Sequence, residues 1–578
     1  MTSDAPFAFT SGPRDARVLL VGEAWGRDEA RLRRPFVGQA GELLDKMLFE
    51  AGIPRSQVLC ANLMNEQPPG NEFSHFLHEN PRKKSEVKPV FKELYAKEEL
   101  VKGVHRIWDL IKIVNPALAI AAGNWPFWAL SNHCTIKTIN GFKRPTGISS
   151  WRGSQTYTSI PSQSPIPLLP IIHPAAILRE YTERAITTHD LRARASRFLR
   201  GQLEWRVPEL TNACFKPTFE QIRRFFFEWR KQLACGPLDL SIDIETYVKK
   251  WISVVGLADE TSELCIPFFY FQADGKMVNY WPLEEEIWIW NELRFILEHP
   301  HCRIIGQNFV YDTQFFKRGY DVDAIVHSDT SILHHLLYPG TPKDLSRLAS
   351  LYCNSYIYWK DESQDWNASA VSAEDMWRYN CKDTRYTYEI AILLRKLVRE
   401  AKMEELLHEK TLQWRFARKM MLQGVKYDSE EKNQMVRTLV RDGACIEAHL
   451  MSCMPKQLQR VASGKPFYSS PAGLMYILYD RLGFERQRHK KTKKPTSDDS
   501  ALQAISNKHP WIAPMLDAIK DIRSIGVFRS HFLDATVSPD GRLRCSFNVA
   551  GPETHRWSSS ENGFEEGTNL QNVPKVED

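Results

Sequence analysis

Asp243 and Glu245 are separated by a single residue, Ile244, at the end of the apolar run in LSIDIET (240–246). Side chains two apart on an extended chain share a face, so this stretch sets two like charges side by side. Such a pair resists burial unless something offsets the repulsion, most simply a cation. On this fragment alone a solvated strand end is the plainer reading. Two later segments add to it. Asn308 closes the apolar run of IIGQNFVYDTQFF (304–316), and Asp312 follows one helical turn later. Tyr379 and Asp383 in YNCKDTRYTYEI (379–390) are likewise four apart, which places them on one helix face.

Three acidic segments in this order, the last with a tyrosine one turn before its aspartate, resemble the motifs of the DnaQ-like 3′–5′ exonucleases. The intervening DTSILHHLLYPGTPKDLSRLASLY (329–352) resembles the proofreading domain of family A DNA polymerases. The chemistry fits the residue types. Phosphodiester hydrolysis needs an activated water and a neutralised leaving oxygen, which two divalent ions about 3.5–4 Å apart provide. Mg²⁺ takes hard oxygen ligands and keeps room for water and phosphate, so carboxylates are required, with Mn²⁺ as the alternative ion. The resemblance implies that Asp243, Glu245 and Asp383 hold the water-activating ion. It makes Asp243 shared with a second ion, Asp312 act there through water, and Tyr379 orient the nucleophile, with Asn308 in support.

Three regimes must position these residues. From Arg17 to about Leu199, short apolar strands (RVLLVG, ALAIAAG, LLPIIHP) alternate with helical stretches, the pattern of an α/β domain with a parallel sheet. Residues 200–237 read as a helical connector. A second α/β segment spans 238–400, with LDLSIDIET and WISVVGLAD joined as a hairpin; the resemblance implies a ribonuclease H-like fold. From 401 to 578 the pattern is mainly helical. The fold class is therefore multidomain α/β: an α/β/α domain, an exonuclease domain, then a helical region.

That last region resembles the thumb and early palm of DNA polymerase I-type enzymes. MLQGVKYDSEE (421–431) and SPAGLMYILYDRLGFERQRHKKTKKPTSDDSALQAI (470–505) match thumb segments, and the tip carries Lys490, Lys491, Lys493 and Lys494. Such cations grip the duplex backbone without reading sequence. GRLRCSFNVAGPETHRWSSSENGFEEGTNLQNVPK (541–575) resembles the segment in which Arg556, Asn569 and Gln571 contact primer–template. His555 replaces the usual glycine there, and Phe564–Gly567 lies in an insertion. In that family the palm aspartates and fingers helix follow NLQN[IV]P, whereas this chain ends at Asp578. The expectation is that the chain alone does not polymerise, and that the missing half belongs to a second chain or a lost frame.

The first domain resembles family 4-type uracil-DNA glycosylases through LLVGEAWGRDEARLRRPFVGQAGELLDKMLFEAGI (19–53), ANLMNEQPPGN (61–71), ALAIAAGN (117–124) and IIHPAAILR (171–179). Glycosylases extrude the base into a stacking pocket. By position Phe36 would stack, Asn62 would hydrogen-bond uracil, His173 would stabilise its anion and Glu23 would help activate water. That family holds an iron–sulfur cluster with four cysteines. Here none precedes the first strand, and Asn65–Glu66 stand where another would follow the asparagine motif, so no cluster is expected. Trp25 also replaces the usual proline.

Composition agrees with a DNA-handling protein: 578 residues, 43% hydrophobic, 25% charged, with a net charge of +6 that permits nucleic-acid binding. Eleven scattered cysteines without a CxxC pair suit reduced thiols in a cytoplasm, that of a bacterial host if the chain is of phage origin. No apolar run is long enough for a membrane span and no secretory leader is legible. The expected partners are primer–template DNA and single-stranded 3′ ends. Two other readings compete with the proofreading exonuclease: an assembly subunit docking a chain with the palm and fingers, and a repair glycosylase with inert appendages.

Overall fold

A computed structural model describes residues 5–80, 88–210, 212–272, 274–363, 373–460, 464–490 and 492–572. The first sheet contains β1 (Val18–Ala24), β2 (Val58–Met64), β3 (Leu118–Ala122), β4 (Thr156–Tyr157) and β5 (Pro167–Ile171), in the order β2-β1-β3-β5-β4. All neighbours are parallel except the short edge strand β4. Val18 and Leu20 enter one core, with Leu44 and Leu48 of helix α1 (Gln39–Ala51). Leu19 and Val21 enter the other, with Ile107 and Leu110 of α2 (Glu98–Val114). A parallel sheet covered on both faces explains why its strands are continuous apolar runs. The short helix α3 (Asn124–Leu130) follows β3 directly.

The second sheet contains β6 (Ala213–Cys214), β7 (Leu238–Tyr247), β8 (Trp251–Ala258), β9 (Glu263–Pro267), β10 (Cys302–Gly306) and β11 (Val326–Asp329), in the order β11-β10-β7-β8-β9-β6. The hairpin expected between β7 and β8 is present and antiparallel, and β10 runs parallel to β7. Residues 200–237 are not only helix. They contain α4 (Phe219–Cys235), but β6 pairs with β9 and joins the sheet. A two-residue strand carries no periodicity, so pattern reading had no means of finding it.

Helices α5 (Leu283–Leu297), α6 (Asp312–Tyr320), α7 (Leu345–Tyr352) and α8 (Ala373–Glu400) follow. The long α8 packs across β7, β8 and β9. After it come α9 (Glu404–Gln423), α10 (Ser429–Ser452), α11 (Asp499–Lys508) and α12 (Ala513–Phe528).

Two compact units result: Met1–Phe309 with Val322–His408, and Val310–Asp321 with Glu409–Asp578. The segment carrying Asp312 thus groups with the C-terminal unit. Within that unit Phe564 stacks on Phe315 of α6 at 4.2 Å, and Arg318 pairs with Glu566 at 2.8 Å, so the insertion seen in the sequence grips α6. Among the described residues, no helix is long and apolar enough to cross a membrane.

Candidate active site

Asp243 and Glu245 project from one face of β7, half-buried, at the centre of the second sheet. Opposite Asp243 in register stands Gly256 of β8. A Cβ there would lie 2.1 Å from Asn380 Oδ1, so the bare backbone lets α8 settle close to the sheet. Asn380 is fully buried, and its Nδ2 donates to Asp243 Oδ2 at 2.9 Å. One turn along α8 from Tyr379, Asp383 completes the cluster. Ligand oxygens of Asp243, Glu245 and Asp383 lie within 4.8 Å of one another. Three hard carboxylate donors converging this closely fit a divalent cation.

Two donors outside α8 hold Asp383. Trp359 Nε1 donates to Oδ1 at 2.5 Å, and Lys360 Nζ donates to Oδ2 at 2.6 Å and to the Tyr379 hydroxyl at 2.8 Å. Burial alone would lower the Lys360 pKa, but the charges of Asp383, Tyr379 and Asp243 outweigh it and raise it. The Tyr379 hydroxyl is pushed above the usual tyrosine range, chiefly by burial and then by Asp383.

Two further exonuclease candidates, Asp312 and Asn308, are not members of this cluster. Asp312 is the buried first residue of α6 and is not one of the three clustered acids. Asn308 follows β10 in a left-handed conformation, φ 52°. Its N–H and that of Phe309 donate to Asp329 at 3.1 and 2.8 Å. Asp329 also caps the next helix through Ser331 N, which makes it the organiser of this turn.

In the first domain, Glu23, Asn62 and His173 lie toward or just past the carboxyl ends of the parallel strands β1, β2 and β5, where open α/β sheets place their ligands, and Phe36 lies in the segment between β1 and α1. Gly22 of β1 is in register with Asn62 of β2, and a Cβ on it would lie 2.3 Å from Asn62 Oδ1 and 2.6 Å from Phe36 Cζ. Phe36, also left-handed at φ 52°, stacks on His173 at 5.9 Å. Asn62 is 2% exposed, and its Oδ1 makes no hydrogen bond among the described residues. His173 Nδ1 accepts from Ala175 N at 3.2 Å, and burial lowers its pKa to about 4, so the ring is neutral. Glu23 is pushed up to about 7 by burial, against hydrogen bonds from the Trp125 and Asn124 backbone. Residues 1–199 contain two cysteines, Cys60 buried on β2 and Cys134 half-buried.

In the C-terminal unit, Lys490, Lys493 and Lys494 are exposed on a tight turn closed by His489 N–Lys494 O at 2.9 Å. Lys491 falls outside the described residues. Arg556 and Gln571 are exposed. Asn569 Oδ1 is engaged locally, accepting from Ser559 Oγ at 2.6 Å and Gln571 N at 3.0 Å. His555 adopts φ 59°, the left-handed conformation suited to the glycine it replaces.

Sequence reading missed Gly256, Asn380, Trp359, Lys360 and Asp329. Asn380 was accessible to it, lying three residues before Asp383 on the same helix. Trp359 and Lys360 carry no local signal, because an irregular segment brings them in from 24 and 23 residues upstream.

The uracil DNA glycosylase superfamily model matches residues 9–200, and a 3′-5′ exonuclease family model matches residues 241–399. The DNA polymerase of Bacillus phage SP01 is 20% identical, with 98% of this chain and 64% of that protein aligned. DNA polymerase I of Synechocystis sp. is 27% identical over 46% of this chain and 26% of its own length. The type-4 uracil-DNA glycosylase of Thermotoga maritima is 28% identical over 31% of this chain and 77% of its own. Among solved structures, the polymerase domain of Pol1 from M. smegmatis in complex with DNA primer-template and dNTP has a TM-score of 0.43 at 19% identity, covering 61% of this chain and 55% of that one. The chain spans 26% and 64% of the two polymerases named. A uracil-DNA-glycosylase-like domain is therefore fused to an exonuclease domain of the family A polymerase type.

Proposed function

We propose that this chain is the proofreading part of a family A DNA polymerase used in DNA replication, removing nucleotides from single-stranded 3′ ends in the host cytoplasm. The observation that carries this reading is the convergence of Asp243, Glu245 and Asp383 within 4.8 Å, inside the segment matching the 3′-5′ exonuclease family.

Asp243, Glu245 and Asp383 would hold Mg²⁺, with Mn²⁺ as the substitute; the bound ions would supply an activated water and neutralise charge on the leaving oxygen. The chain's own residues do the rest. Asn380 fixes the Asp243 carboxylate through its Nδ2. The Tyr379 hydroxyl stays protonated at neutral pH and can hydrogen-bond the attacking water. Asp312 would act as an outer carboxylate through water, with the turn at Asn308 preceding it. Lys490, Lys493, Lys494 and Arg556 would bind phosphates of the primer–template, and Asn569 and Gln571 would shape the adjoining turn. Purified chain with Mg²⁺ should shorten single-stranded DNA from its 3′ end. Asp243→Ala combined with Glu245→Ala should lower the rate by at least about 10³-fold with the fold retained. Full activity in that double variant would refute the assignment.

A second reading applies to the first domain. Phe36 and Asn62 close on Gly22, and His173 stacks on Phe36, which groups an unpaired amide oxygen with a neutral imidazole, a suitable setting for a flat base. We propose that it binds uracil-containing DNA with weak or absent excision and holds no iron–sulfur cluster. Brisk uracil release that disappears in Asn62→Ala, or iron found in the purified protein, would overturn this.

A further inference from the structure

Between α7 and α8 the chain forms a strap, Tyr356–Lys360, that touches the glycosylase-like domain at one end and the carboxylate cluster at the other. Gln155 and Tyr356 bond reciprocally: Gln155 N to Tyr356 O at 2.7 Å, and Tyr356 N to Gln155 Oε1 at 3.1 Å. Tyr358 N donates to Ser154 Oγ at 3.1 Å. Ile357 and Tyr358 pack against the core of the glycosylase-like domain, while Tyr356 and Trp359 belong to the core beneath α8. Arg194, 2% exposed, fixes the segment just upstream through the carbonyls of Ser350, Cys353 and Asn354.

The strap ends on the exonuclease site. With Trp359 on Oδ1 and Lys360 on Oδ2, both oxygens of Asp383 accept from it, and the same ammonium reaches the Tyr379 hydroxyl. The lysine therefore sits among the groups that would hold a divalent cation, carrying a charge of the same sign as that cation.

We infer that Lys360 is a positioning residue of the exonuclease site, seated there by the glycosylase-like domain: an internal cation that keeps Asp383 and Tyr379 in register and competes with the divalent ion for Asp383. The inference rests on the exonuclease reading above. It gives the glycosylase-like domain a role in proofreading that does not depend on base excision.

The role separates metal affinity from turnover, because removing the ammonium relieves repulsion while releasing the Tyr379 hydroxyl. Mn²⁺ binding to the full chain is read by electron paramagnetic resonance, and hydrolysis of a single-stranded oligonucleotide by single-turnover kinetics. In Lys360→Met, Mn²⁺ should bind about 10-fold more tightly while the hydrolytic rate falls at least about 10-fold. Lys360→Arg keeps the charge and should stay within about 3-fold of the wild-type Mn²⁺ affinity. Ser154→Ala, in the other domain, should move affinity and rate in the same directions as Lys360→Met, by about 2–3-fold. Mn²⁺ affinity that is unchanged or weaker in Lys360→Met overturns the inference, and wild-type behaviour of Ser154→Ala removes the glycosylase-like domain from it. A wild-type chain that binds Mn²⁺ without hydrolysing DNA would refute the exonuclease reading alone, since the resonance comparison still decides the part played by Lys360.

Discussion

The carboxyls of the two sites are treated in opposite ways. Asp383 receives a donor on each oxygen, from Trp359 and Lys360. Glu23 is half-buried at the end of β1, its carboxyl beside Gly123 and the first turn of α3, where desolvation outweighs its backbone hydrogen bonds and raises its pKa from 4.5 to about 7. The fold therefore accommodates the protonated form better. The stability contributed by this group is full below pH 4.5 and is lost as pH rises through about 7. Glu23→Gln resembles the protonated acid at every pH. Its stability relative to wild type should grow by up to about 3 kcal/mol between these limits and level off above them. Urea denaturation followed across the range would show it, and a pH-independent difference would contradict the raised pKa of Glu23. The near-neutral value also suits a group that must change protonation at physiological pH.

At the scale of elements, the exonuclease site is a question of how closely α8 approaches β7 and β8. Strand β7 supplies two acids, the helix supplies Asp383, Tyr379 and Asn380, and Gly256 sets the gap between them. A methyl group at Gly256 would meet Asn380 Oδ1, Asn380 Cγ and Thr384 Cγ2, all under 3.0 Å. Overpacking of this kind typically costs about 1–3 kcal/mol. Gly256→Ala should therefore lower the unfolding midpoint and slow 3′-end hydrolysis at least about 10-fold, because lifting α8 separates Asp383 from Asp243. Unaltered hydrolysis in this variant would mean that the helix-to-sheet distance does not control the site.

At the scale of the whole molecule, the glycosylase-like and exonuclease domains belong to one compact unit. Arg152 and Asp190 form a fully buried bidentate pair at 2.6 Å, and Arg152 reaches on to Ser350 Oγ of α7 at 3.0 Å. Arg194 adds its three carbonyl contacts beside it. Buried donors tied to backbone carbonyls are costly to remove, since each orphaned acceptor carries a desolvation penalty. The two domains should unfold in one calorimetric transition. Arg194→Met should weaken that unit by about 2–4 kcal/mol and split the transition in two. Two transitions already present in the wild type would show that the domains are not locked together.

The sequence by itself determined the local features. Spacings of two and four residues placed Asp243 with Glu245 on a strand and Tyr379 with Asp383 on a helix, and apolar runs marked the parallel strands of the first sheet. These are properties of a few consecutive residues with a fixed repeat. Tertiary structure decided what no repeat encodes. It brought Lys360 and Trp359 onto Asp383, put Gly256 opposite Asp243, added β6 to the second sheet and grouped the Asp312 helix with the C-terminal unit. It also turned a strap between two helices into a bridge from one domain to the other domain's acids. Each of these depends on residues far apart in the chain meeting in a packed interior, where charge, volume and hydrogen bonds are satisfied jointly rather than locally.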